Sequence, residues 1–193
     1  IGRIQAIDPL PTTRPTVFFC GRHEDRKGLR VLIDAFDQMP AGVDLWIGSD
    51  GPDTELLQRR TAGDARIHWL GRISDDDKFA RLRGADVFCA PSLGGESFGV
   101  VLIEAMAAGT AVVASALDGY RNVATDDVDA VLTDPGSVDQ LAAGLRRVLD
   151  DQALAARLRD AGSTRAEAFA MSALADRYIE IYQGLVAAHH EDV

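Results

Sequence analysis

The sequence has 193 residues, a formal net charge of −10 and 47% hydrophobic residues, enough chain for one hydrophobic core and the composition of an ordinary globular domain. The negative balance excludes wholesale binding to nucleic-acid phosphates or an anionic membrane surface, although a local basic pocket can persist in a repelling field. There is no run of about 18 apolar residues and no start with a charged and then an apolar region, so neither a membrane span nor a secretory leader is expected and a cytoplasmic location is.

Along the chain, Pro9, Pro11 and Pro15 crowd a short stretch and make residues 1–15 read as an interdomain linker, with a domain beginning at Thr16. Short apolar runs then predict strands at 16–20, 43–48, 67–70, 87–90, 111–114 and 130–132. The intervening segments carry helical spacing, as in Leu29, Leu32, Ile33 and Phe36, or Phe79 and Leu82. Ser74 followed by Asp75, Asp76 and Asp77 predicts a capped helix with negative charge in its first turn, not a metal site. From Val138 the pattern is helical: Leu141, Leu145, Val148 and Leu149, then 154–158, then Leu174, Tyr178, Ile181, Tyr182 and Leu185. The last helix, from Met171 to about Ala188, is longer than the sheet requires, and its apolar face is expected to pack toward a domain outside this sequence.

Strands buried on both faces and separated by helices give the α/β class: a doubly wound, Rossmann-like parallel sheet of about six strands over residues 16–170, with a helical tail over 171–193. Cys20 and Cys89 sit in the first and fourth apolar runs without Cys-x-x-Cys or His-rich neighbours. Reduced thiols on neighbouring strands are expected, and no metal.

Ligands of such sheets bind at the carboxyl ends of the strands. After the first strand, Gly21-Arg22-His23-Glu24-Asp25-Arg26-Lys27-Gly28 sets three basic residues between two glycines. The spacing is neither the Gly-x-Gly-x-x-Gly of dinucleotide folds nor a P-loop; an Arg and a Lys here would hold a diphosphate, or the turn is simply solvated and pairs with Glu24 and Asp25. After the fourth strand, Gly94-Gly95-Glu96-Ser97-Phe98-Gly99 precedes an apolar helix over 100–107. The amides of Ser97, Phe98 and Gly99 are read as opening a helix whose positive end favours phosphate. Glu104 lies in that apolar helix, where a carboxylate needs a partner such as the vicinal diol of a ribose. In the third loop, backbone groups at Ile73 and the amine of Lys78 could read the edge of a base, or a capped helix explains them as well.

These stretches resemble family 4 of the retaining glycosyltransferases, most closely the bacterial phosphatidylinositol mannosyltransferases. The resemblance covers nearly all of 16–186 and rests on Phe-Cys-Gly-Arg and Arg-Lys-Gly within 19–28, Trp-Leu-Gly-Arg at 69–72, Ala-Asp-Val-Phe-Cys-Ala-Pro-Ser at 85–92, and above all the run from Gly94 to Ser115. It implies the nucleotide-sugar-binding half of a two-domain GT-B enzyme that transfers a hexose, mannose from GDP-mannose, to a lipid such as phosphatidylinositol or to a glycan. It further implies that Gly21, Arg22 and Lys27 hold the diphosphate, that Glu104 holds the ribose, and that Ile73 and Lys78 flank the base. Glu96 and the amides of Ser97, Phe98 and Gly99 would contact sugar and phosphate, with Glu96, Arg22 and Lys27 as the catalytic groups. No cofactor would be required and a divalent metal would at most stimulate. The acceptor and the second half of the site would come from an N-terminal domain, with peripheral contact at the inner membrane face in the full-length protein. Two departures from the family are a basic loop one residue shorter and Gly48-Ser49-Asp50-Gly51-Pro52 one residue longer than Gly-x-Gly-Pro.

Two other classes compete. Asp50, at the end of the second strand, is where a dinucleotide-binding dehydrogenase domain places a ribose-binding acid, but the glycine fingerprint is missing. A non-catalytic nucleotide-sugar sensor would keep the site without turnover, and a flavodoxin-like signalling domain would need acids where Arg22 stands.

Overall fold

The computed structural model describes residues 1–170 and Ile179; the helix expected from Met171 to Ala188 lies outside the described residues. Six parallel strands form one sheet: β1 (Thr16–Cys20), β2 (Asp44–Gly48), β3 (Ile67–Gly71), β4 (Val87–Ala90), β5 (Ala111–Ser115) and β6 (Val131–Thr133). Their order across the sheet is β3-β2-β1-β4-β5-β6. Chain direction across the sheet therefore reverses between β1 and β4, and a crevice opens there above the strand ends.

Alternation within the strands builds two cores. Val17, Phe19, Val87, Cys89 and Val113 point to one face, under helices α2 (Leu29–Phe36) and α7 (Val138–Asp150). Phe18, Phe88, Val112 and Ala114 point to the other, under α4 (Asp75–Gly84) and α5 (Val100–Ala107). Each fully buried aromatic such as Phe18 contributes about 1.5–3 kcal/mol by leaving water. The last described helix, α8 (Gln152–Glu167), starts on the first core through Leu154 and Leu158 and ends on the second through Ala166. Gly162 allows that crossing, because a Cβ there would stand 3.1 Å from Met106 Cγ.

Every predicted strand is present within one or two residues at each end. Cys20 and Cys89 lie on neighbouring strands and are both free; they face opposite cores. Burial pushes the Cys20 thiol up to about 11 and raises that of Cys89 as well. Ser74 caps α4 by accepting from the Asp77 amide at 3.1 Å, with all three aspartates in the first turn.

The first residues do not trail away from the domain as a free linker would. Gly2–Gln5 form a short helix, α1, whose Ile4 is buried in the second core. The Leu10 amide bonds Ala80 O at 2.8 Å, and Gly84 has no Cβ to collide with the Leu10 carbonyl. Four residues carry no periodicity of their own, so α1 owes its existence to this packing.

His23 stitches two loops together from a buried position. Its amide bonds Asp50 O at 3.0 Å and its carbonyl accepts from the Asp53 amide at 3.0 Å. Ring Nε2 faces Gly48 O at 3.3 Å, and a carbonyl only accepts, so Nε2 carries the proton; Nδ1 lies 2.8 Å from Thr54 Oγ1, whose hydroxyl also reaches Gly51 O at 2.8 Å. Thr54 opens the next helix, α3 (Thr54–Arg60). Burial lowers the imidazole pKa from its ordinary 6.5, against the Gly48 bond and the charges of Asp50 and Asp53, which raise it. The unfolded chain thus takes up a proton first as pH falls below about 6.5. The stability His23 contributes is whole above that pH and declines as pH falls toward the folded-state value. His23→Gln should flatten the difference between urea midpoints measured at about pH 7.5 and about pH 5.5, relative to wild type. The same pH-dependent drop in both proteins would contradict this.

Candidate functional site

The loops after β1 and β4 meet at the switch point. After β1, a 3-10 turn at Asp25–Lys27 ends on Gly28, with φ of 69°. A Cβ at Gly28 would lie 1.9 Å from Pro91 O, so only glycine lets the two loops touch. The Leu93 amide bonds Arg26 O at 2.7 Å. Across this seam Lys27 Nζ donates to Glu96 Oε1 at 2.5 Å, with both side chains largely buried. Arg26 adds a weaker approach, its Nη1 3.4 Å from Gly95 O and 3.8 Å from Glu96 Oε1.

Glu96 is held from below as well. Ser92 Oγ donates to the same Oε1 at 2.9 Å and lies 3.0 Å from Tyr120 Oη. Tyr120 belongs to α6 (Asp118–Arg121), directly after β5. Its neighbour Gly119 sits under the Glu96 backbone, where a Cβ would fall 1.9 Å from Glu96 O. The 94–99 loop therefore rests on a floor built by a different strand connection.

Glu104, on α5, is not surface-facing, and its partner in this structure is a cation rather than a diol. Lys78 Nζ, from α4, donates to Glu104 Oε1 at 2.9 Å, and both side chains are three-quarters buried or more. A cleft of about 320 Å³ beside them is lined by Cys20, Ser49, Arg72, Ile73 and Lys78, among others. Ile73 and Lys78 thus border one cavity. Ser49, in the 48–52 loop, takes a left-handed φ of 85°, and Asp50 pairs with Arg72 at 2.7 Å.

One expectation changes. Arg22 stands apart from Lys27: its side chain is 68% exposed and pairs with Glu24 at 3.3 Å, lining a second cleft with Asp50, Thr54 and Arg72. In this state the solvated-turn description fits Arg22, while Lys27 is drawn into the site. Helix α5 begins at Val100, as the apolar run predicts. Gly99 has φ of 83°, outside the helical region, so it serves as N-cap and the amides of Ser97, Phe98 and Gly99 precede the helix. A Cβ at Gly21 would meet the Phe19 ring at 3.4 Å, and the Gly21 amide approaches Gly48 O at 3.5 Å. The Phe98 ring turns away toward Phe169, at 5.6 Å, on the rim of an apolar groove. Ser92, Gly119, Tyr120 and His23 were not singled out as site residues from sequence. Ser92 stood within the quoted Ala-Pro-Ser run, whereas Tyr120 lies in a four-residue helix with no pattern to read.

The family model for glycosyl transferases group 1 matches residues 2–165. The chain belongs to the group 1 glycosyl transferases. This glycosyltransferase domain is 40% identical to the phosphatidyl-myo-inositol mannosyltransferase of Mycolicibacterium smegmatis over 188 residues, 94% of this chain and 48% of that protein. It is 30% identical to the lipopolysaccharide core biosynthesis glycosyltransferase LpsE of Rhizobium meliloti, covering 93% of this chain and 54% of that one. Among solved structures, sucrose-phosphate synthase from Thermosynechococcus elongatus superposes with a TM-score of 0.81 at 30% identity, over 96% of this chain and 51% of the other. Anabaena HepE, solved with UDP-glucose, superposes with a TM-score of 0.79 at 24% identity, over 89% and 49%, a likeness of fold alone. The fold is that of GT-B glycosyltransferases, and the chain spans about half the length of the curated relatives it matches. Nothing in the first turn of this glycosyltransferase domain favours the dinucleotide-binding alternative. Among the described residues no helix is long and apolar enough to cross a membrane.

Gly119→Ala should force the Glu96 loop off its floor and cost about 2 kcal/mol or more, lowering the melting midpoint by about 4 °C or more. Gly63→Ala, with nothing within 4 Å, serves as the control and should leave the midpoint nearly unchanged. Equal midpoints for the two variants would show that the loop does not rest on Gly119.

Proposed function

We propose that this domain binds the donor of a retaining hexosyltransferase, a nucleoside-diphosphate hexose, with GDP-mannose as the donor and a lipid such as phosphatidylinositol or a glycan as acceptor. The observation that carries the reading is the Lys27–Glu96 contact, a cation and a carboxylate together at the β1/β4 switch point, the kind of crevice in which ligands of such sheets bind. Breaking that substrate's sugar–oxygen bond sends the electron pair to the departing diphosphate and leaves positive charge on the sugar carbon. A cation stabilises the first and a carboxylate the second. Lys27, joined by Arg22 swinging from its exposed pairing with Glu24, takes the diphosphate; Glu96 faces the sugar.

Glu104 and Lys78 serve the nucleoside, the carboxylate toward the ribose hydroxyls and the amine, with Ile73, toward the base. The acceptor hydroxyl forms the new bond to the sugar carbon as its proton passes to the departing diphosphate oxygen, and attack on the face the diphosphate leaves gives retention. The acceptor and the opposite wall of the cleft come from a second domain, which the remaining length of the relatives could supply. Domain alone, binding without turnover is expected. No resident cofactor is needed, and a divalent cation would only assist the diphosphate. The identity to mannosyltransferases supports the choice of sugar. In the whole protein the domain works at the inner face of the membrane, reached through its lipid acceptor.

Calorimetric titration of the domain with GDP, UDP, GDP-mannose and UDP-glucose tests the reading, with the guanosine pair expected to bind more tightly. Two variants refine it. Glu104→Ala should weaken GDP and GDP-mannose alike, by about 1–3 kcal/mol, whereas Glu96→Ala should remove chiefly the part of the affinity that mannose adds. Failure of all four nucleotides to bind, or identical losses in the two variants, would overturn the assignment.

A further inference from the structure

Tyr120 and Ser92 are both buried to within 2% of full exclusion, and their hydroxyls stand in line with Glu96. The direction of the line follows from chemistry. A carboxylate can only accept, so the Ser92 hydroxyl donates to Glu96 Oε1, at 2.9 Å. Its one proton is then spent, so at 3.0 Å Ser92 Oγ must accept from the Tyr120 hydroxyl. Burial disfavours the phenolate and raises the Tyr120 pKa, which keeps that proton in place.

Oε1 thus receives two donors, Ser92 and Lys27, while among the described residues no hydrogen bond reaches Oε2. Lys27 is the partner that a diphosphate would draw away. Ser92 and Tyr120 carry no charge, are sealed from solvent and have nothing to exchange. The ring is fixed by the same loop, since a Cβ on Gly99 would meet Tyr120 Cδ1 at 2.8 Å.

We infer that Tyr120 is a positioning residue, whose hydroxyl acts through Ser92 to pin Oε1 of Glu96 and present Oε2 to the sugar of the donor after Lys27 has moved to the diphosphate. The inference rests on the donor-binding reading above and deepens it. Tyr120 touches no substrate, so its effect should be confined to what Glu96 does.

Tyr120→Phe keeps the ring against Gly99 and removes only the hydroxyl. The affinity gained on going from GDP to GDP-mannose should fall by about three- to tenfold, as for one neutral hydrogen bond. In the Glu96→Ala background the same substitution should change that gain by less than about twofold, because its target is gone. Ser92→Ala should reproduce the effect and decides the matter where Tyr120→Phe melts. Equal losses for GDP and GDP-mannose, or a full effect in the Glu96→Ala background, would make Tyr120 a packing residue and overturn the inference. A readout without ligand separates this from the donor assignment: the buried Tyr120 hydroxyl proton, observed by proton NMR, should shift in Glu96→Gln. A signal indifferent to Glu96 would overturn the relay. If wild type bound none of the four nucleotides the donor reading would fail, and the shift alone would decide whether the hydroxyls are coupled.

Discussion

A lysine and a glutamate that meet across two loops organise this domain. Lys27 and Glu96 are 69 positions apart, brought together because the sheet reverses direction between β1 and β4. Neither charge is cheap to hold with most of its surface excluded from water. Removing one partner would leave the other buried and unpaired, a loss larger than the net worth of the pair. The surrounding features read as consequences: Gly28 against Pro91, Leu93 bonded to Arg26, Gly119 beneath Glu96. Each lets two backbones approach closely enough for the pair to form.

The second pair repeats the device. Lys78 and Glu104 link α4 to α5 as Lys27 and Glu96 link the loops above β1 and β4. Both carboxylates and both amines are groups that a glycosyl nucleotide could use. Paired with each other, they neutralise the site, so a cleft in a protein of net charge −10 neither repels a diphosphate outright nor holds unpaired charge while it waits. On the donor-binding proposal, binding is then an exchange of partners, and affinity is the difference between two sets of charge-assisted bonds.

Much of the fold was legible because the physics that made it is local. Runs such as Val17-Phe18-Phe19 and Val112-Val113 are apolar on both faces, which only a sheet covered on both sides explains. Ser74 and its aspartates announced a helix start for equally local reasons. The site was half legible. Glu104 in an apolar helix was seen to need a partner, but Lys78 supplies it from 26 residues away, and no spacing rule reaches that far. The start of α5 at Val100 was legible from its apolar run, but nothing in Ser-Phe-Gly shows that Gly99 turns left-handed to cap it. Tyr120 and the buried Ile4 sit in four-residue helices that exist only through tertiary contact.

The central claim is that Lys27 changes partner when a diphosphate arrives. A crystal structure of the domain with GDP, beside one without nucleotide, measures this directly. The account predicts that Lys27 Nζ leaves Glu96 Oε1 for a phosphate oxygen while Ser92 Oγ keeps its bond to that same Oε1. A nucleotide bound with the Lys27–Glu96 contact intact, or one seated away from the β1 and β4 loops, would contradict it.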